Sequence, residues 1–147
     1  MRTFHLGLGL MMTVLIVSTC GPAATPTPIP TPMPVLATRI EDIVGTWEGI
    51  GFDGLIQRLY ADGTCEIGIT LDRLAVKPDI ECTFRFEGTR FILTEVEATG
   101  LTPCQAGAKT GIYEVQLLAN GNIQFKVVQD LCGRRRRSMI LEHRPVR

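Results

Sequence analysis

From residue 46 onward the chain alternates apolar and polar residues in short runs. In Cys65-Glu66-Ile67-Gly68-Ile69 the odd positions are apolar. In Ile80-Glu81-Cys82-Thr83-Phe84-Arg85-Phe86-Glu87 the even positions are apolar and every odd one is polar. Tyr113, Val115 and Leu117 share one parity, as do Ile123, Phe125 and Val127. Period two with a single oily side is the mark of half-buried antiparallel strands. Asp53-Gly54, Ala61-Asp62-Gly63, Gly88-Thr89 and Ala119-Asn120-Gly121 separate the runs and read as hairpin turns. The pattern predicts eight strands over 46–52, 55–60, 64–70, 80–87, 90–97, 111–118, 122–129 and 136–143. Ahead of them, Thr38 to Val44 reads as a short helix with Thr38 as N-cap and Glu41 three residues on. The fold class is all-β: an eight-stranded antiparallel up-and-down barrel, which removes exposed edges. An open, strongly bent sheet around the same core is the alternative.

Turn chemistry sets the register. A three-residue Ala-Asn-Gly loop with Gly121 left-handed pairs Leu118 with Asn122, so Leu117 faces Ile123, Val115 faces Phe125 and Tyr113 faces Val127. A two-residue Gly88-Thr89 turn sets Phe86 against Phe91 and Phe84 against Leu93. The predicted lining is Ile50, Leu55, Leu59, Ile67, Ile69, Phe84, Phe86, Phe91, Leu93, Val115, Leu117, Ile123, Phe125 and Val127. Gln57 and Glu95 share the inward parity, and Tyr113 lies near one mouth. These three are the candidate ligand-binding side chains, unless a bulge turns Glu95 outward. The meander places loops 61–63, 88–89 and 119–121 at one tight end. Loops 53–54, 71–79, 98–110 and 130–135 lie at the other, and its long loops make it the expected mouth. Cys104 and Cys132 both fall in loops of that end, and Cys65 and Cys82 fall on neighbouring strands. Of the three connectivities open to four cysteines, loop placement makes Cys104–Cys132 the natural pair and leaves the pairing of Cys65 and Cys82 open.

The N-terminal segment reads differently. Arg2 supplies a positive start and Leu6 to Val17 an uncharged apolar run, shorter than the roughly 20 residues that span a bilayer. Val17-Ser18-Thr19-Cys20 resembles the bacterial lipobox, which implies that Cys20 is acylated and becomes the first mature residue. Pro22, Pro26, Pro28, Pro30, Pro32 and Pro34 follow. Alternating Thr-Pro can form neither helix nor ladder, so residues 20–37 read as a polyproline linker reaching roughly 50 Å at about 3.1 Å per residue. The organisation is a signal peptide over 1–19, a lipidated cysteine and linker over 20–37, and a barrel domain over 38–147. The expected place is the extracytoplasmic face of a cell membrane.

Net charge is formally zero but uneven. Residues 21–133 carry 8 Lys+Arg against 14 Asp+Glu, whereas residues 134–147 carry six Arg against Glu142 alone. Read as part of a strand, Arg134-Arg135-Arg136-Arg137 alternates faces, so most of the run is solvated. It suits phospholipid headgroups, an acidic partner or an anionic ligand. Nucleic acid is not expected of a tethered domain that is otherwise acidic. With no C-x-x-C and only His143 beyond the signal, no metal site is expected. No nucleophile–base order, phosphate loop or G-x-S-x-G suggests an enzyme, and no cofactor is implied.

Gly45-Thr46-Trp47, after the short helix and opening the first strand, resembles the Gly-x-Trp signature of lipocalins and lipocalin-like domains. The resemblance implies a barrel in which Trp47 is structural and packs near the closed end. Two functional expectations follow. One is a membrane-tethered module that binds a small apolar or amphipathic ligand through the mouth. The other is a protein-binding barrel with a packed interior, such as an inhibitor of a secreted enzyme or an envelope assembly component. Interior volume separates them, since sites for drug-sized ligands need about 300 Å³ or more.

Overall fold

A computed structural model describes residues 34–51 and 55–147. The expected signal segment, Cys20, the linker as far as Met33 and the Asp53-Gly54 turn lie outside the described residues.

Nine strands form one antiparallel sheet: β1 (Val35–Leu36), β2 (Gly45–Gly49), β3 (Ile56–Leu59), β4 (Thr64–Gly68), β5 (Ile80–Glu87), β6 (Arg90–Ala98), β7 (Thr110–Leu117), β8 (Ile123–Asp130) and β9 (Glu142–Pro145). Strands β2 to β8 follow one another as neighbours, and β9 pairs with both β8 and β2. The ring therefore closes as an eight-stranded barrel with no free edge around its circumference. The short β1 adds to the outer end of β7, with Val35 opposite Leu117. Ala37, just after β1, is fully buried.

The turns set the pairing as their chemistry requires. Leu118 N donates to Asn122 O at 2.9 Å, and Gly121 has φ 83°. Leu117 faces Ile123, Val115 faces Phe125 and Tyr113 faces Val127. Across the Gly88 turn, Phe86 faces Phe91 and Phe84 faces Leu93. Most of the predicted lining forms one core in which Phe84, Phe91, Tyr113 and Phe125 meet at tilted or edge-on angles, an arrangement favoured by the ring quadrupoles. Phe86, Leu117 and Val127 are half-buried against it. Ile50 and Ile69 are exposed instead of lining. Each lies just past the end of its strand, where the pleat no longer decides which side a residue faces.

Two disulfides form, the expected Cys104–Cys132 and, settling the open pairing, Cys65–Cys82. Cys65 and Cys82 are directly opposed on β4 and β5 with Cα atoms 4.8 Å apart, and Cys104 and Cys132 join two loops of the mouth. Trp47 is buried, and its Nε1 donates to Ile43 O at 2.8 Å.

Three local expectations are corrected. Residues 38–44 do not make a Thr38-capped helix. They form a 3₁₀ turn over Ile40–Asp42, in which the Asp42 carboxylate accepts from the N–H groups of Thr38 (3.0 Å) and Arg39 (3.1 Å). The loop 71–79 contains α1 (Leu71–Val76), whose Thr70 Oγ accepts from Arg73 N at 3.2 Å. Most consequentially, the strand expected over 136–143 is replaced by α2 (Gly133–Met139) followed by the shorter β9. Arg135, Ser138 and Met139 are the buried residues of α2, and their i, i+3, i+4 spacing is that of one helix face.

Candidate functional site

The mouth of the barrel is occupied by α2. Met139 descends into the core beside the aromatic cluster. A cavity of about 30 Å³ remains between the helix and the barrel floor, lined among others by Leu55, Gln57, Leu93, Glu95, Arg134 and Ser138. That volume suits one or two water molecules with polar partners on its wall. Gln57 and Glu95, both singled out from parity, thus meet at one cavity. Tyr113 is not in its wall.

Two bulges decide which polar groups face inward. On β6, Glu95 pairs with Cys82 and Glu97 with Glu81, leaving Val96 as the extra residue. Val96 is 54% exposed while Glu95 is buried. The bulge therefore turns Val96 and Glu97 outward and leaves Glu95 inside, where both its oxygens accept from Cys104 N at 3.1 and 3.3 Å. On β8, Tyr113 pairs with Val127 and Ile112 with Gln129, so Val128 is extra. Strict alternation would place Asp130 on the solvent side; the added residue reverses it, and Asp130 is buried.

Asp130 is the centre of a second polar group that parity missed. Arg135 of α2 meets it in a fork, Nε to Oδ2 at 3.0 Å and Nη2 to Oδ1 at 2.8 Å. The Tyr113 hydroxyl donates to the same carboxylate, and Cys132 N donates to Oδ1 at 2.8 Å. Arg135 also donates to the carbonyls of Lys109 (2.6 Å) and Ala108 (2.9 Å). Burial alone would raise the Asp130 pKa, but the bonds from Arg135, Tyr113 and Cys132 outweigh it and hold the carboxyl below its usual range. Burial, followed by the bond to Asp130, pushes the Tyr113 hydroxyl well above the ordinary tyrosine value. Both stay locked in one protonation state near neutrality, as suits a structural clamp.

His143 on β9 is fully buried, with its Nε2 2.6 Å from the Gln57 side-chain amide and its ring edge-on to Phe125. Burial lowers its pKa to about 4, with a small opposing contribution from the Leu141 backbone. It is neutral at physiological pH, and among the described residues no cluster of three His, Cys, Asp or Glu side chains is placed to hold a metal.

The arginine run is divided by the helix. Arg135 is buried in its fork and Arg136 and Arg137 are exposed. Arg134 lies half-buried at the cavity wall, with a buried Nη2 that has no hydrogen-bond partner among the described residues. A second depression of about 280 Å³ opens on the outside, between residues 102–105 and the start of α2, above the Cys104–Cys132 bridge. Comparison with known proteins returns no matching family model, no matching curated protein and no matching solved structure.

Proposed function

We propose that this chain is a lipocalin-like barrel, anchored through acylated Cys20 to the extracytoplasmic face of a membrane, that works by binding a protein partner on its outer surface. Its interior serves as a rigid packed scaffold. The observation that carries this reading is the cavity beneath α2, about 30 Å³, an order of magnitude below the roughly 300 Å³ at which sites for drug-sized ligands begin. Met139, the aromatic cluster and the Asp130–Arg135 fork take up the space a carried ligand would need. The tether rests on the apolar N-terminal run, the Val17-Ser18-Thr19-Cys20 seam and the proline ladder behind it.

Native mass spectrometry of the full chain, purified in mild detergent, tests both parts. The expected spectrum shows a protein beginning at Cys20 with covalent acyl chains and no further bound small molecule. A stoichiometric, non-covalent lipid overturns the packed-scaffold reading. An unmodified N-terminus overturns the tether.

A further inference from the structure

We infer that the outward face of α2, with the depression beside it, is a docking surface for an acidic polypeptide segment that also presents apolar side chains. The inference names the partner chemistry of the protein-binding reading above and rests on that reading.

Arg136 and Arg137 are exposed on α2, and Leu131 before the helix and Ile140 after it are 73% and 48% exposed. Cations flanked by bare aliphatic side chains make a composite surface, able to pair carboxylates and cover apolar groups together. The adjacent depression of about 280 Å³ is bordered by Pro103, Gln105, Leu131, Gly133 and Arg134, and is large enough for a side chain of the partner. Among the described residues, Arg134, Arg136 and Arg137 form no ion pair, whereas the other cation of the run, Arg135, is committed to Asp130. Four carboxylates elsewhere on the barrel pair with other arginines: Glu48 with Arg144, Glu66 with Arg58, Asp79 with Arg73 and Glu87 with Arg85. Three unpaired cations thus stand close together in sequence beside an exposed leucine and isoleucine.

The concave depression beside α2 favours a polypeptide over the lipid surface that the arginine run alone also suits. Strand β1 enters at the Leu117 end of β7, so the chain from the linker arrives at the tight end of the barrel. The α2 face lies at the other end, beyond Thr110 and Asp130. Eight residues of β7 at about 3.4 Å each separate the two. A concave depression suits a side chain better than a headgroup plane.

The test uses the full chain in detergent and a fluorescent peptide of Glu, Leu and Gly, with a matched peptide bearing Gln for Glu. Anisotropy is expected to show binding of the Glu peptide that weakens about tenfold between about 0.05 and about 0.5 M salt. The R136E/R137E double variant is expected to lose about tenfold or more in affinity, and L131S several-fold, because rim charges and an exposed apolar anchor act together. Equal binding of the Gln peptide overturns the inference, as does unchanged affinity in R136E/R137E. In a second arm the chain sits in vesicles containing phosphatidylglycerol and hydrogen exchange is followed over residues 131–140. Protection by the lipid alone makes the bilayer the occupant and overturns the inference; protection only after the Glu peptide is added supports it. A lipid found inside the barrel by mass spectrometry would sink the packed-scaffold reading without touching this face. Failure to bind the Glu peptide, with no lipid inside, would sink this inference alone.

Discussion

His143 makes the stability of this barrel depend on pH in a window that other groups leave free. Its ring is fully buried between the Gln57 amide and Phe125, and its pKa falls from 6.5 to about 4 because burial penalises the imidazolium. A depressed histidine acts with a definite sign. Above pH 6.5 neither the folded nor the unfolded chain protonates it, and the fold keeps its full stability. As the pH falls below 6.5 the unfolded chain takes up a proton that the folded chain refuses until about pH 4. Unfolding is then favoured by at most about 1.4 kcal/mol per pH unit, or roughly 2 kcal/mol in all between pH 6.5 and pH 4.5. The carboxyls of Asp42, Asp62 and Glu142 are held below their ordinary values of 3.8, 3.8 and 4.5, respectively by the Thr38 backbone, the Thr64 side chain and the Asn122 side chain. Asp130 is likewise lowered. Depressed carboxyls lose their contribution only as pH falls through and below those ordinary values, so the interval from 6.5 to 4.5 isolates the histidine. Urea unfolding of wild type and H143Q, followed by Trp47 fluorescence at steps across that interval, measures the difference. Wild type is expected to lose the stated stability and H143Q to stay nearly flat. Parallel curves, or a His143 titration by NMR near 6.5 in the folded protein, would refute the reasoning.

The remaining predictions concern how the mouth is closed. R135M or D130N alone strands a buried charge or its partners and is expected to cost about 3–5 kcal/mol in urea, whereas D130L/R135M together should cost far less, because a buried ion pair replaced as a unit is often close to neutral. Joining Cys104 to Cys132 closes a separation of 28 residues and Cys65 to Cys82 one of 17; replacing either pair with serine or alanine is expected to lower stability by about 3–4 kcal/mol in the chain-entropy picture, the former slightly more. M139A should cost about 2–4 kcal/mol and open a void beside the existing cavity, and benzene should then raise its melting temperature but not that of wild type. A Cβ on Gly111 would lie 2.7 Å from the Tyr113 hydroxyl and 2.8 Å from its ring edge; since Tyr113 is buried and tied to Asp130, G111A is expected to destabilise by about 1–3 kcal/mol, read as a lower thermal midpoint.

Strand order, the register of two hairpins and the Cys104–Cys132 pair were legible because they rest on rules that reach only a few residues. Period-two alternation assigns a face, and Gly88 and Gly121 supply the positive φ at which two hairpins reverse. Direct opposition of Cys65 and Cys82 did not follow, because α1 and not a tight turn joins β4 to β5. Two things broke the rule. At Val96 and Val128 a single added residue shifts the phase, and no change of composition announces it. That is why Gln57 and Glu95 were found by parity and Asp130 was not. The other failure is α2. Arg135, Ser138 and Met139 form its buried stripe, but two of the three are polar, so a search for apolar period would pass over them. The usable signal was propensity: four arginines and a methionine favour helix over strand, and no β-branched residue interrupts them. Thr70, placed before Leu71-Asp72-Arg73, was a similar unread cap for α1.

Arginine at position 135 explains why the helix closes the mouth in one orientation. Drawing α2 against the barrel also covers the carbonyls of Ala108 and Lys109 and the inward Asp130 carboxylate, and buried acceptors without donors are costly. A leucine at 135 would add apolar contact but leave the Ala108 carbonyl without its donor and the Asp130 carboxylate without a cation. The guanidinium fork answers all of them from one side chain, beside a disulfide that holds the same loop to the residue before the helix. Once position 135 is pinned inward, helical geometry dictates the rest. Successive residues turn by about 100°, so 138 and 139 return to the barrel while 136 and 137 must point away. Burying one arginine of the run is therefore what displays the next two.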